Sequence, residues 1–326
     1  MGVETKKDYE DFCQKNYIPI FSKSWWLDAI CGSENWDVWL YKSGGKIWAA
    51  MPYYKTVDDK GVRICRAPLT QNNGIIISYP ENQKVYKKQS WEEKICQAAI
   101  DYIESLHLRT YEQQYNTSFL NALPFFWNYY NLIPRYTYVI SGNDIKEIES
   151  EFSSKLRNDL KKGVRNTASY DTVNAEIFYS EHEKVFKKQG LECPFSKELW
   201  YRLHSAVVKR NVGQTLVALD KNGTITSLAF FVRDEKRQYL LLGGAIPEFS
   251  HMQTYTALIY KGISMALSNK LDFDFEGSVI RRVNHSIREF GGKPMLYYRI
   301  RKVFDSDIIR EEAEDAIKRL ENNRGV

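Results

Sequence analysis

The chain has 326 residues, 43% apolar and 27% charged, with a formal net charge of +5, which excludes disordered, collagen-like and coiled-coil classes and suits two domains of ~100–200 residues each. Five widely spaced cysteines (Cys13, Cys31, Cys65, Cys96 and Cys193) without a CxxC argue against a disulfide framework or zinc cluster, and the mild charge permits a phosphate-bearing partner without demanding one. The start lacks an apolar signal-peptide core and no window is apolar enough to span a membrane, so the expectation is a cytoplasmic protein with no transmembrane segment.

Residues 36–41 read as a strand, Ser43-Gly44-Gly45 as a tight turn and residues 47–54 as the returning strand of a β-hairpin. Strand-like runs follow at 62–65 and 74–78. Ile95, Ala98, Ala99, Tyr102, Ile103 and Leu106 recur at spacings of three and four, the mark of an amphipathic helix, and residues 109–115 close the series as a strand. A further strand at 136–140 leads to a turn, Gly142-Asn143-Asp144, and to one helix whose apolar side is Ile145, Ile148, Phe152, Leu156 and Leu160.

The same order then returns. Strands at 214–219 and 226–232 flank the hairpin signal Asn222-Gly223, and 239–245 adds another strand. Tyr255, Leu258, Ile259, Gly262, Ile263, Ala266 and Leu267 keep helical rhythm before a strand at 271–275. A polar helix over 305–322 ends the chain, acidic early and basic late at Lys318 and Arg319, as the helix dipole favours. The repeated order predicts two domains, 1–138 and 139–326, the second carrying the C-terminal helix.

Three stretches carry a family resemblance. Asp272-Phe-Asp-Phe-Glu-Gly-Ser278 followed by Ile287-Arg-Glu-Phe-Gly-Gly292, then Ser154-Lys-Leu-Arg157 with Lys161, Lys162 and Arg165, and finally Phe21-Ser-Lys-Ser-Trp-Trp-Leu-Asp28, are similar to motifs of the Fem and BioF2-like branch of the GNAT acyltransferase superfamily. Ile287 stands where that family has an aromatic residue. The resemblance implies an α+β or α/β fold of two tandem GNAT-like domains, each a mixed, mostly antiparallel sheet flanked by helices, with an acceptor cleft between them.

It further implies an N-acyltransferase that forms an amide on a small-molecule or lipid-linked amine. The donor would be acyl-CoA, an acyl carrier protein or an aminoacyl-tRNA, with no metal and no covalently bound cofactor. The stretch from Gly243 to Thr254 lacks the Gln/Arg-x-x-Gly-x-Gly/Ala signature of CoA-dependent members, which leaves the donor open. A second reading is a catalytically inactive GNAT-fold module that binds a nucleotide, tRNA or acyl carrier partner.

Several residues are candidates for chemistry. Alternation along a strand would put Asp272, Asp274 and Glu276 on one face, where crowding raises a carboxyl pKa and suits a base for an attacking amine; Glu276 and Asp274 are the catalytic candidates, and a solvent-facing strand end is the bland alternative. Arg157, Lys161 and Arg165 fall on one helical stripe and, with Arg288, are candidates for acceptor or phosphate binding; a solvated face is the bland alternative, and the recurrence of basic residues at Arg281, Arg282, Arg288 and Lys293 beside the Glu276 motif favours anion binding. For the donor, the resemblance implies that Gly243 and Gly244 end a strand that splays from its neighbour and let a ligand approach the main chain, a simple bulge being the alternative; Thr254 would cap the next helix, and Tyr255 would serve as a proton donor or pack in the core. By the resemblance, Lys23 and Trp26 line the first-domain side of the cleft. The five histidines show no metal spacing.

Overall fold

The computed structural model describes the backbone of residues 2–142, 144–187 and 190–323, and the side chains of residues 5–142, 144–187 and 190–319. Two compact units emerge, one of Met1–Pro134 with Tyr297–Val326 and the other of Arg135–Leu296.

In the first unit, α1 (Gly2–Lys15) and α2 (Ser24–Cys31) precede the hairpin of β1 (Trp36–Ser43) and β2 (Lys46–Asp58). Gly44 and Gly45, at φ +59° and +73°, supply the left-handed pair that a two-residue turn requires. Next come β3 (Gly61–Cys65), the short β4 (Ile76–Ile77), α3 (Val85–Ser105), β5 (Thr110–Gln114) and α4 (Leu123–Trp127). The apolar face of α3, at Ile95, Ala99, Ile100 and Ile103, packs in one cluster with Met51, Ile64 and Tyr111. Strand pairing is antiparallel except between β3 and β5, which α3 joins as a crossover.

β6 (Asn131–Ile140) carries the chain into the second unit, followed by α5 (Ile145–Glu149), α6 (Ser154–Asn166), β7 (Ser169–Thr172), α7 (Ala175–Lys187) and α8 (Lys197–Lys209). The single helix expected over 145–160 is two, because Ser153 caps α6 by accepting the Leu156 N–H at 3.0 Å. Asp144 caps α5, while Asn143 of the expected turn lies outside the described residues.

Then follow β8 (Gly213–Leu219), β9 (Ile225–Arg233), β10 (Arg237–Ala245), α9 (Thr254–Ser268), β11 (Asp272–Asp274) and α10 (Arg281–Arg288). The strand order within this unit is β6-β11-β10-β9-β8-β7, antiparallel except for β10 with β11, which α9 joins. A Cβ on Gly262 would stand 2.4 Å from the Phe231 ring, so glycine is what lets α9 lie against the sheet. On the sheet's other face, Phe178 of α7 stacks on Trp200 of α8, with Phe230 below both.

β12 (Lys293–Val303) and α11 (Ser306–Asn323) end the chain. Residues 299–303 of β12 pair with β5, and Arg109 Nε donates to Asp305 Oδ2 at 2.6 Å, so the C-terminal helix falls with the first unit and not with residues 139–296. The repeated order of elements is thus a repeated topology. Each unit is a mixed, mostly antiparallel sheet flanked by helices, with one parallel pair spanned by a long helix. Among the described residues, no helix is long and apolar enough to cross a membrane.

Candidate active site

β10 pairs with β9 as far as Ala245, but with β11 only from Arg237 to Tyr239. Between Leu240 and Leu242 the register against β9 shifts, a bulge that bends the strand. Since β11 stops at Asp274, the two strands part, and a cleft of about 460 Å³ opens where they do. Leu240, Leu242, Gly243, Tyr255, Phe275 and Phe290 give it an apolar interior, and Lys155, Asp159, Arg282 and Glu289 supply charge.

Just past β11, Glu276 takes φ +60° and Gly277 φ +65°. A Cβ on Gly277 would come within 2.0 Å of the Tyr136 carbonyl oxygen, so only glycine fits there. Phe275 and Gly277 both line the cleft. Glu276 is itself partly exposed, yet its Oε1 is shut away from solvent with no hydrogen-bond partner. Burial first, and the neighbouring Asp274 charge second, hold its carboxyl well above the usual carboxylate range.

Asp274, the other catalytic candidate, is fully buried, so the bland alternative of a solvent-facing strand end does not hold for it. Its carboxylate accepts from Thr137 Oγ1 at 2.5 Å, from the Glu276 N–H at 2.8 Å and from Arg237 Nη1 at 3.3 Å. With its oxygens committed in this way, it acts as a clamp on the turn. The expected alternation holds for Asp272 and Asp274 and ends there, because Glu276 lies beyond the strand and its left-handed backbone breaks the period of two.

The two strand glycines do different things. A Cβ on Gly243 would meet the Leu228 carbonyl oxygen at 2.8 Å and the Tyr255 hydroxyl at 2.9 Å, so this glycine keeps the cleft wall open beside Tyr255. Gly244 instead lies against Val185 of α7. Desolvation raises the Tyr255 hydroxyl pKa above its ordinary value. Thr254 is not the cap that sequence suggested: Gln253, at φ +62°, holds that position without a side-chain bond, and Thr254 begins the helix with its Oγ1 buried and unpartnered. Gly163 of α6 sits where a Cβ would be 2.3 Å from the Gln253 carbonyl oxygen, which lets α6 cover the start of α9.

Arg157, Lys161 and Arg165 are exposed on α6, outside the cleft. The same helix instead contributes Lys155 and Asp159, one turn apart. Lys155 Nζ lies 3.2 Å from Asp159 Oδ2 and 3.4 Å from Glu289 Oε2, contacts that raise its pKa, the Asp159 hydrogen bond first. Sequence reasoning passed over Asp159 and Glu289; the i,i+4 pairing of Lys155 with Asp159 beside the apolar face was the available signal. Arg288 is exposed and outside the cleft, whereas Arg282 of the same helix lines it. In the first unit, Lys23 is a half-buried residue at the N-cap of α2. Trp26 has no exposed surface; its Nε1 donates to Thr70 Oγ1 at 3.1 Å and Phe21 meets it edge-on, so it packs the core and lines no cleft wall.

Residues 154–278, which run from α6 to the Glu276 turn, match the family described as acetyltransferase (GNAT) domain. Over nearly the whole chain the fold is that of the FemX crystal structure, with a TM-score of 0.68 at 9% identity, covering 93% of this chain and 97% of that one. L-PGS from Bacillus licheniformis follows the chain at a TM-score of 0.53 and 11% identity, covering 98% of each. The C-terminal domain of a putative lysylphosphatidylglycerol synthetase from Agrobacterium fabrum gives 0.50 at 11%, covering 96% and 95%. Identities this low speak for the fold. A comparison with curated protein sequences finds no match.

Proposed function

We propose, from the premise that residues 154–278 form a GNAT acetyltransferase domain, that the protein is an N-acyltransferase joining an activated acyl or aminoacyl group to an amine. The observation that carries this reading is the parting of β10 from β11 at a cleft that Phe275 and Gly277, the two neighbours of Glu276 in the turn, help to line. The unpaired edge of β10 from Leu240 to Gly243 suits the amide groups of an extended donor, by strand addition. The apolar interior suits its acyl portion, and the exclusion of water there strengthens every dipole around the reacting carbonyl.

Amide formation needs the amine neutral, so an ammonium sheds its extra proton before nitrogen attacks the acyl carbon; the proton that nitrogen then loses passes to a base, and the donor's sulfur or oxygen departs and takes up a proton. Glu276, whose affinity for a proton is raised by burial and by the neighbouring Asp274 charge, is the candidate to receive the proton from nitrogen. Lys155 and Arg282 at the cleft give an anionic donor its positive counterpart. The acceptor is read as a small-molecule or lipid-linked amine, and the donor as acyl-CoA, an acyl carrier protein or an aminoacyl-tRNA.

The test offers purified protein each donor class with a panel of amines and follows the amide by mass spectrometry. Consumption of one donor with matching amide, lost in Gly243→Val, supports the reading. Failure of every donor, or transfer untouched by closing the cleft, overturns it.

A further inference from the structure

In a chain with 27% charged residues, positions 113–134 contain none. This stretch of the first unit has two faces. Inward, Phe119, Ala122, Phe125 and Tyr130 are buried, and Phe125 meets both Tyr115 and Tyr130 edge-on. Outward, Leu120 is 75% and Tyr129 88% exposed, with Leu123, Phe126 and Trp127 more than half exposed between them. A rigid aromatic anchor thus holds large apolar side chains out into water. So dense an exposed apolar group on a soluble surface marks an interaction site.

The beginning of α3 adjoins this surface. Tyr79, Lys88 and Glu92 share a hollow with Leu120 and Asn121. Asn128 Nδ2 donates to Gln97 Oε1 at 3.1 Å, which ties the end of α4 to α3. Val85 and Tyr86 are also exposed, and Lys84, Lys87 and Lys88 flank them in sequence and are exposed as well, Lys88 Nζ standing 4.3 Å from the centre of the Tyr79 ring.

We propose that this face, formed by Leu120, Leu123, Phe126, Trp127 and Tyr129, rests on the surface of a lipid bilayer. Leu and Phe enter the acyl boundary, Trp and Tyr suit the headgroup level, and the lysines remain among the phosphates. Leu123, Phe126 and Trp127 project from one short helix whose neighbour α3 begins with exposed lysines, and this pairing of apolar tips with basic side chains matches acyl chains beneath phosphates, which favours a bilayer over a protein partner. Glu81 and Glu93 lie near the lysines, so the electrostatic share is small and the apolar share dominates.

Sedimentation of the full chain with vesicles of phosphatidylcholine, with and without added phosphatidylglycerol, tests the proposal. The expected result is binding to both, somewhat tighter with the anionic lipid. Phe126→Glu with Trp127→Glu should weaken partitioning by about a hundredfold, since each lost apolar insertion accounts for roughly tenfold. Leu120→Ser with Tyr129→Ser, at the two most exposed sites, should act in the same direction, and thermal melts confirm that each variant is folded. Wild type left in the supernatant with both vesicles, or folded variants that bind as well as wild type, would overturn the proposal. So would a vesicle-free dimer that these substitutions dissociate, because the face would then belong to a second copy. Transfer activity plays no part in the readout, so the outcome is independent of the acyltransferase reading.

Discussion

The Asp274 carboxylate accepts the Glu276 backbone N–H at 2.8 Å, so a side chain with no exposed surface fixes the turn that carries the candidate base. Arg237 Nη1 and Thr137 Oγ1 hold the same carboxylate. Removing one partner from a buried ion pair leaves an uncompensated charge, so Asp274→Asn should cost roughly 3 kcal/mol in urea unfolding. Arg237→Ala should cost a similar amount, and the double variant much less than the sum. An unchanged unfolding midpoint in Asp274→Asn would show that the turn is held some other way.

Glu276 gives a prediction with opposite signs for activity and stability. Its carboxyl holds a proton more tightly folded than unfolded, so stability is complete at low pH and declines as pH rises from the usual carboxylate value through the raised one. Glu276→Gln keeps the shape without the charge, and should melt higher than wild type once the pH exceeds the raised value and alike in acid. Transfer should fall by about 10²-fold or more if the residue is the base. A variant with full activity would reassign the base, whatever the melts show.

The cations inside and outside the cleft should separate in function. Lys155→Ala and Arg282→Ala should each weaken an anionic small-molecule donor by about tenfold, a normal loss for one charged hydrogen bond. The triple Ala variant at Arg157, Lys161 and Arg165, all exposed and away from the cleft, should leave that affinity unchanged. If the donor is an aminoacyl-tRNA, the same triple variant should flatten the dependence of binding on salt, since each lost phosphate contact lowers the slope. Equal losses from both sets on a small donor would show that the cleft does not delimit the site.

His182 of α7 predicts acid sensitivity. It is buried against Phe178, Phe186 and Phe195, its Nδ1 has no partner, and desolvation brings its pKa down to about 4 from 6.5. The neutral ring is favoured in the folded state, so its share of stability is complete above pH 6.5 and lost as pH falls towards 4. At 1.36 kcal/mol per unit, that share is roughly 3 kcal/mol. His182→Leu should therefore lose less stability than wild type between those pH values in urea titrations, and parallel curves would count against a neutral buried ring.

Periodicity made most of the fold legible. The hairpin at Gly44-Gly45, the α3 and α9 faces and the repeated order were present as spacings, because helix and strand periods are properties of the backbone that neighbouring residues express by themselves. Phe178, His182 and Val185, and then Trp200, Leu203 and Val207, carried the same helical signal and went unassigned. Glu276 was legible as a motif, whereas its departure from the strand face was not, since alternation presumes a strand that Asp274 in fact ends.

From its order of letters alone, the chain determined many of its helices and strands, that the pattern occurs twice, and that an acid-rich strand end runs into a glycine turn. Tertiary structure alone decided which of those acids is clamped and which is left with an unpartnered oxygen, and it put Lys155, Asp159 and Glu289 at the cleft while leaving the α6 stripe outside it. Lys155 and Glu289 stand 134 positions apart in sequence, and their meeting depends on how helices seat on a sheet, which is set by shape and volume at contacts such as Gly163 on Gln253. Local spacing carries no record of such contacts.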